Sequence, residues 1–316
     1  MRVKEIIPPV PREELEAELN QETFVRNTNK GDNKIYDFTA QQAPALMREV
    51  GRLREITFRM AGGGTGKEAD IDDYDTAEVP YRQLIVWDPQ AKEILGGYRY
   101  LLGSDIPVDQ LGNVKLATSR LFHFSDKFIK EYLPHMIELG RSFVQPTYQS
   151  SKAGTKSLFA LDNLWDGLGS LIVSHPEMKY FFGKVTMYTH FNRYARDLIL
   201  GFMQKYFNDP DKLLYPHEPV KIDLSEQDLK EIFCGENYQE DYKILTKRVR
   251  EFGENIPPLI NAYMNLSPSM KTFGTAINDR FGDVEETGII LTINELYKQK
   301  ITRHVDTFKP NETHEK

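Results

Sequence analysis

Between residues 136 and 206 the chain alternates strand, helix, strand and helix patterns with short connections, and nothing else restricts its fold as much. MIELGRSFV (136–144) reads as a strand that carries Glu138 and Arg141 among apolar residues. From Lys156 to His175, the residues Leu161, Leu164, Trp165, Leu168, Leu171 and Ile172 fall on one helical stripe. KYFFGKVTMY (179–188) reads as a second strand, and Phe191, Tyr194, Leu198, Phe202 and Tyr206 mark a second helix. A helix between two strands returns the second parallel to the first, so this order predicts an α/β fold with a mixed central sheet flanked by helices.

The flanking segments fit that frame. From Pro44 to Met60, the residues Met47, Val50, Leu53, Thr57 and Met60 recur at helical steps, while Arg48, Arg52, Arg54 and Arg59 occupy the other faces. YRQLIVWD (81–88) and EILGGYRYLL (93–102), joined by the turn DPQAK, predict a hairpin. IPPLINAYMNL should be helical with prolines at its start, and FGTAIND (273–279) and GIILTIN (288–294) read as closing strands. Residues 1–39 read as an N-terminal extension: a proline-rich lead, an acidic helix from Arg12 to Asn20 and a polar connector. The main domain is expected over 40–303, with a polar insertion at 208–250 and a flexible tail over 304–316.

Composition narrows the function classes. Forty lysines and arginines against 47 acidic residues give a net charge of −7, which disfavours nucleic acid as a partner. The single cysteine, Cys234, excludes a disulfide scaffold and suits a reducing compartment. The N-terminus has no apolar signal-peptide core, and nowhere do about 18 apolar residues run uncharged, so a cytoplasmic protein is expected. Several motifs mislead. GGGTGK (62–67) resembles a phosphate loop, but Ala61 and Glu68 stand where the motif needs Gly and Ser/Thr, and a helix precedes it. The histidines show no zinc spacing, and no Gly-x-Ser-x-Gly elbow occurs.

Charged side chains placed beside or inside apolar elements are the candidates for chemistry, because an unpaired buried charge is costly. They are Arg54 with Phe58 on the arginine-rich helix; Asp70, Asp72 and Asp75 in DIDDYD; Arg99 in GGYRYL; and Glu138 with Arg141. One reading is structural ion pairing, the acidic loop to Arg54 or Arg99 and Glu138 to a neighbouring arginine. The other is a substrate site, since a guanidinium fork grips a carboxylate with two bonds. Periodicity does not separate the two.

The ordered combination Leu53-Arg54…Phe58, Asp70-x-Asp72-x-x-Asp75, Gly97-Tyr98-Arg99 and Glu138-Leu-Gly-Arg-Ser-x-Val144 resembles the acyl-carrier-dependent N-acyltransferases of the GNAT superfamily. These include acyl-homoserine-lactone synthases and, closer to this chain, the ornithine- and glycine-lipid N-acyltransferases that often carry a hemolysin label. NLWDGLGSLI (163–172), KYFFGKVTM, IPPLINAYMNL and FGTAINDRFGDVEETGIILTI add to the second likeness, which spans residues 40–295. Lactone synthases usually have glutamate at the position of Asp70, and both the glycine-rich loop and 208–250 are additional to their pattern. No S-adenosylmethionine pocket is indicated, so lipoamino-acid synthesis is favoured over a lactone-type synthase.

The resemblance implies a GNAT-like fold whose central strands splay to admit a pantetheine arm. It implies acyl carrier protein or acyl-CoA as donor, a small amino acid (glycine or ornithine) as acceptor, and no metal or redox cofactor. Glu138 would be the base, with Arg141 orienting it or the acceptor carboxylate. Arg54, Phe58, Asp70, Asp72, Asp75 and Arg99 would shape the acceptor side. Ser142, Phe143 and Val144 would meet the donor arm, and Lys152 and Lys156 its phosphate or the acidic face of the carrier. Residues three apart on a strand face opposite ways, so joint work by Glu138 and Arg141 requires a bulge. Tyr188 or Tyr194 would protonate the leaving thiolate. The basic run KILTKRVR (243–250) is a candidate for peripheral membrane contact. A non-catalytic module that binds carrier or lipid is the alternative.

Overall fold

RQLIVWD and EILGGYRYLL are buried along almost their whole length, as strands covered on both faces must be. They form β3 (Arg82–Asp88) and β4 (Glu93–Leu102), central to a sheet that begins with β1 (Phe24–Asn27) and β2 (Lys34–Phe38). Beyond them lie β6 (Met136–Val144), β7 (Tyr180–Met187), β9 (Lys271–Asn278) and β10 (Val284–Thr292). The eight strands run in the order β1-β2-β3-β4-β6-β7-β10-β9, and β5 (Phe122–Phe124) pairs separately with β8 (Leu214–Pro216). This computed structural model describes residues 3–106, 108–109, 112–149 and 155–310, with 155–158 as backbone only.

Only β6 and β7 pair in parallel, among the described residues; the other ladders are antiparallel. The cause is α4 (Thr155–Ser174), which carries the chain back across one face. On that face Leu84, Val86, Tyr98, Ile137, Phe181 and Val185 pack with α4, α5 (Arg193–Tyr206), α7 (Tyr238–Glu251) and α8 (Pro258–Met264). The opposite face carries Ile85, Trp87, Ile94 and Phe143 under α2 (Pro44–Met60), and farther along Tyr81, Leu101, Met136 and Phe182 under the β5–β8 pair. The predicted mixed α/β architecture is present, with α1 (Arg12–Glu18), α3 (Asp73–Thr76), α6 (Glu226–Ile232) and α9 (Lys298–His304) completing it.

Several boundaries differ from expectation. The polar connector before residue 39 holds β1 and β2, so the N-terminal segment is built into the sheet rather than appended. KIYDF is too short to announce itself, and its partner β3 supplies the order. Met60 is 72% exposed, because the inner stripe of α2 ends at Phe58. Residues 208–250 bury Leu213, Leu214, Phe233, Leu245 and Val249, so their apolar minority belongs to the core. The chain stays ordered past His304, whose Nδ1 lies 2.7 Å from Asp166, and Arg26 stacks on Phe308. Residues 311–316 lie outside the described residues.

Candidate active site

The β6–β7 ladder is short. It runs from Met136↔Tyr180 to Leu139↔Gly183 and stops. Past that point β6 follows β4 up to Val144, and β7 follows β10 up to Met187, so the two strands part. Gly183 sits at the vertex, where a Cβ would stand 2.6 Å from the Leu139 carbonyl oxygen; only glycine lets the strands approach so closely. The residues of β6 beyond Leu139 have no strand partner on the β7 side, among those described.

β6 also carries an extra residue. Gly97 pairs with Phe143 and Arg99 with Gly140, so one residue of β4 faces two of β6. Arg141 takes up the excess with φ 52°, a left-handed conformation that is costly outside glycine. The bulge turns Arg141 toward the face that Glu138 occupies, and it leaves Phe143 on that face with Ser142 on the other.

On that polar face, α2 and the loop after it assemble a charged cluster over β3, β4 and β6. Arg99 grips Asp72 with two bonds, 2.7 and 3.0 Å, and lies 3.0 Å from Asp75. Arg54 reaches Asp75 at 3.4 Å and donates to Gln83, which donates to Asp75 at 3.0 Å. Arg141 Nε lies 2.8 Å from Asp70 Oδ2 and its ring-facing side 4.1 Å from the Phe281 centroid; Phe281 packs edge-on against Phe58. The loop holds its shape because α3 is closed by a reciprocal cap, with Tyr74 N donating to Asp72 and Asp72 N to Asp75.

Arg54, Asp70 and Asp75 are fully buried and Arg99 nearly so. Even so, both Asp70 oxygens and the Nε atoms of Arg54, Arg99 and Arg141 lack a hydrogen bond among the described residues, the Arg141–Asp70 contact being out of line. Burial pulls Asp72 upward, but Arg99, Arg141 and Arg54 hold it well below the usual carboxylate range. Arg99 is pushed well up by Asp75 and Asp72 against the effect of burial, whereas burial lowers Arg54.

Glu138 stands one position short of the vertex and is 1% exposed. Thr118 donates to it through N at 3.2 Å and Oγ1 at 2.8 Å, and the Tyr81 hydroxyl donates as well. Burial raises its pKa, outweighing those hydrogen bonds and the nearby Lys184 and Arg99. Among the described residues Glu138 forms no ion pair, so the expected pairing with an arginine is replaced by hydroxyl contacts that no sequence pattern revealed. Across the split, Lys184 bonds Glu286 at 2.9 Å, and Asn278 donates to the same oxygen at 3.0 Å. This pair went unread, although it carries the same signal as Glu138: a charge inside an apolar strand.

The opposite face is apolar. Tyr98, Leu139, Ser142, Leu161, Trp165 and Tyr263 line a shallow apolar cleft where the strands part. Val144 packs on this side, Phe143 on the other, so the three residues expected to meet the donor split between faces. Lys152 and the side chain of Lys156 lie outside the described residues. The glycine-rich loop is closed to phosphate: buried Glu55 accepts from Thr65 N, Thr65 Oγ1 and Gly66 N at 2.7–3.1 Å, so its amides already face an anion. Tyr188 directly follows β7 and lies against Gly63 of that loop, while Tyr194 is exposed and packs at a tilt on Phe252. No cluster of three or more metal-ligating side chains occurs among the described residues.

Comparison with known proteins agrees with this architecture. The family model described as acetyltransferase (GNAT) domain matches residues 53–158, which contain the C-terminal half of α2, the aspartate loop and β3 to β6. A glycine N(alpha)-acyltransferase of Bacteroides thetaiotaomicron is 60% identical over 97% of this chain and 91% of its own length. One of the same name from Phocaeicola vulgatus is 56% identical over 97% of this chain and 94% of its own. No solved structure matches the chain.

Proposed function

The chain belongs to the GNAT-superfamily N-acyltransferases, and from that premise we propose that it moves a fatty-acyl group from a carrier thioester to the α-amine of glycine, forming a lipoamino acid. The observation that carries this reading is the buried cluster beside the split. Its three arginines and three aspartates balance, and its hydrogen-bonding capacity is unfilled. A zwitterion adds no net charge to such a site. Its carboxylate suits the guanidinium groups of Arg99 and Arg141, and its ammonium suits Asp70. The names of the relatives favour glycine over ornithine.

The donor is acyl carrier protein or acyl-CoA. Its pantetheine arm lies in the split against the unpaired edge of β6, with the hydrocarbon in the apolar cleft. The acceptor must lose a proton before its nitrogen can attack. Glu138, with a pKa raised by burial, is a stronger base than a solvated glutamate and takes that proton directly or through water. The C–N bond forms, the C–S bond breaks, and the thiolate leaves with a proton from Tyr188 or solvent. The outer side of α7 exposes Lys243, Lys247, Arg248 and Arg250 ahead of exposed Phe252, which supports peripheral contact with an anionic membrane that receives the product. No helix among the described residues is long and apolar enough to cross a membrane.

Purified protein given hexadecanoyl carrier thioester with glycine, alanine, serine or ornithine tests the reading through thiol release and mass spectrometry of the amide. Product with glycine in preference to the others is expected. No amide with any acceptor, or ornithine preferred, overturns it.

A further inference from the structure

Across the split from Glu138 stands Lys184, the first residue of β7 past the vertex at Gly183. Val185 packs on the α4 face, whereas Met136 and Phe182 lie on the other, so by alternation Glu138 and Lys184 share that polar face. Phe182 pairs with Glu138, Gly288 with Lys184 and Ala276 with Glu286. Glu138, Lys184, Glu286 and Asn278 are therefore successive diagonal neighbours, an oblique polar row across β6, β7, β10 and β9. Lys184 bonds Glu286 at 2.9 Å, Asn278 donates to Glu286 at 3.0 Å, and Arg120 donates to Asn278 at 3.1 Å. Two residues before Arg120, Thr118 donates to Glu138. The row thus closes into a ring through residues 118–120 with one contact missing: among the described residues, Lys184 and Glu138 do not bond. That gap falls where β6 and β7 part. Lys184 keeps 13% of its side chain exposed there, and Glu286 takes one of its three N–H donors, which leaves two for a group placed in the gap.

We propose that Lys184 is a catalytic residue: its ammonium holds the oxyanion formed when the amine attacks the thioester carbonyl, and Glu286 fixes it in place. The inference rests on the donor reading given above, which puts the thioester at the head of the unpaired β6 edge, between Glu138 and Lys184. Glu138 has by then taken the ammonium's proton and is neutral. As nitrogen bonds to the carbonyl carbon, the C=O π pair moves onto oxygen beside Lys184, so negative charge passes across the gap to the cation. When C=O re-forms, the C–S bond breaks, the second nitrogen proton goes to solvent, and Lys184 keeps all three of its own. Lys184 already favours the ionised form of Glu138, which sets the two groups within electrostatic reach. Stability alone is a poor account of the pair, since a buried ion pair adds little over apolar side chains of the same volume.

Two experiments test it. The first needs no turnover: carrier protein is loaded with a hexadecanoyl ketone, CH₂ replacing sulfur, or with an analogue bearing an anionic phosphonate in place of the thioester carbonyl. Calorimetry then compares the wild-type chain with Lys184→Met. The variant should bind the ketone as the wild type does and lose about 10²-fold or more in affinity for the tetrahedral anion. An equal loss for both analogues, or a loss for neither, overturns the proposal. If neither analogue binds the wild-type chain, the donor reading falls and this inference with it. In the second, Lys184→Met should lower kcat by about 10²–10³-fold with both KM values little changed, and Lys184→Arg, which keeps the charge, should recover part of the loss. Lys184→Met combined with Glu286→Gln leaves no buried carboxylate unpaired, so it should keep the wild-type urea midpoint and stay as slow as the single variant. Full activity in that double variant, or an effect confined to the glycine KM, overturns the assignment. Selective loss of the phosphonate without any transfer by the wild type would remove the proposed reaction and leave the anion site at Lys184 standing.

Discussion

The two faces of the sheet at the split solve opposite problems with the same strands. On one, Arg54, Arg99, Asp70 and Asp75 are buried and Arg141 and Asp72 half-buried, each held by charged partners in the same cluster. On the other, Leu139, Leu161, Leu164 and Trp165 surround open space with no charge among them. The charged side depends on every partner, since removing one strands another in a buried site. The apolar side depends on shape and tolerates exchange of similar volumes. On the proposed function, this difference would let one narrow opening bring a zwitterion and a hydrocarbon to the same carbon atom without mixing their environments.

The largest test of this contrast is Glu138→Gln. It should lower kcat by about 10²–10⁴-fold while the urea midpoint at neutral pH holds or rises. The sign follows from the raised pKa: a carboxyl that prefers its neutral form in the fold adds stability at low pH and loses it as pH climbs through the folded value. A fully active variant breaks the assignment of the base to the charged face. Next, Arg99→Met leaves Asp72 and Asp75 without their main partner and should cost about 3–5 kcal/mol in equilibrium unfolding, with a raised KM for glycine. A loss below about 1 kcal/mol would mean that the cluster behaves as surface pairs do.

Smaller effects sharpen the comparison. The acid limb of kcat/KM should lie above the usual glutamate range because burial raises Glu138. Tyr81→Phe removes a donor to the ionised form, so that limb should move up by about one further unit; a downward move contradicts the geometry. Asp72 behaves in the opposite sense. Held low, it keeps its ion pairs as pH falls through the ordinary carboxylate range and loses them only below it. Smallest of all, Leu161→Ala trims the half-buried wall of the apolar side and should cost at most about 2 kcal/mol. Its kinetic effect should fall on the donor KM rather than the acceptor KM, which calorimetry and initial rates together resolve.

The charged face was largely legible because charges inside apolar strands stand out, as Arg99, Glu138 and Arg141 do in GGYRYL and ELGRSFV. The two hydroxyls on Glu138 were not, since Tyr81 lies 57 residues away and Thr118 sits in a segment without periodicity. The apolar cleft was illegible for another reason. Leu161, Leu164, Trp165 and Leu168 read as a core-facing stripe whether a neighbour fills the space before them or not. The helices and central strands fell close to their predicted bounds, whereas β1, β2 and the order beyond His304 come from distant partners such as β3 and Asp166.

The surplus residue at Arg141 makes strand length, and not merely composition, part of how the charged cluster is built. Deleting it would restore an even count against β4 with Ser142, Phe143 and Val144 still on their present sides, and would take away the guanidinium that reaches Asp70. The apolar side would keep its lining, whereas buried Asp70 would be left without its ion-pair partner.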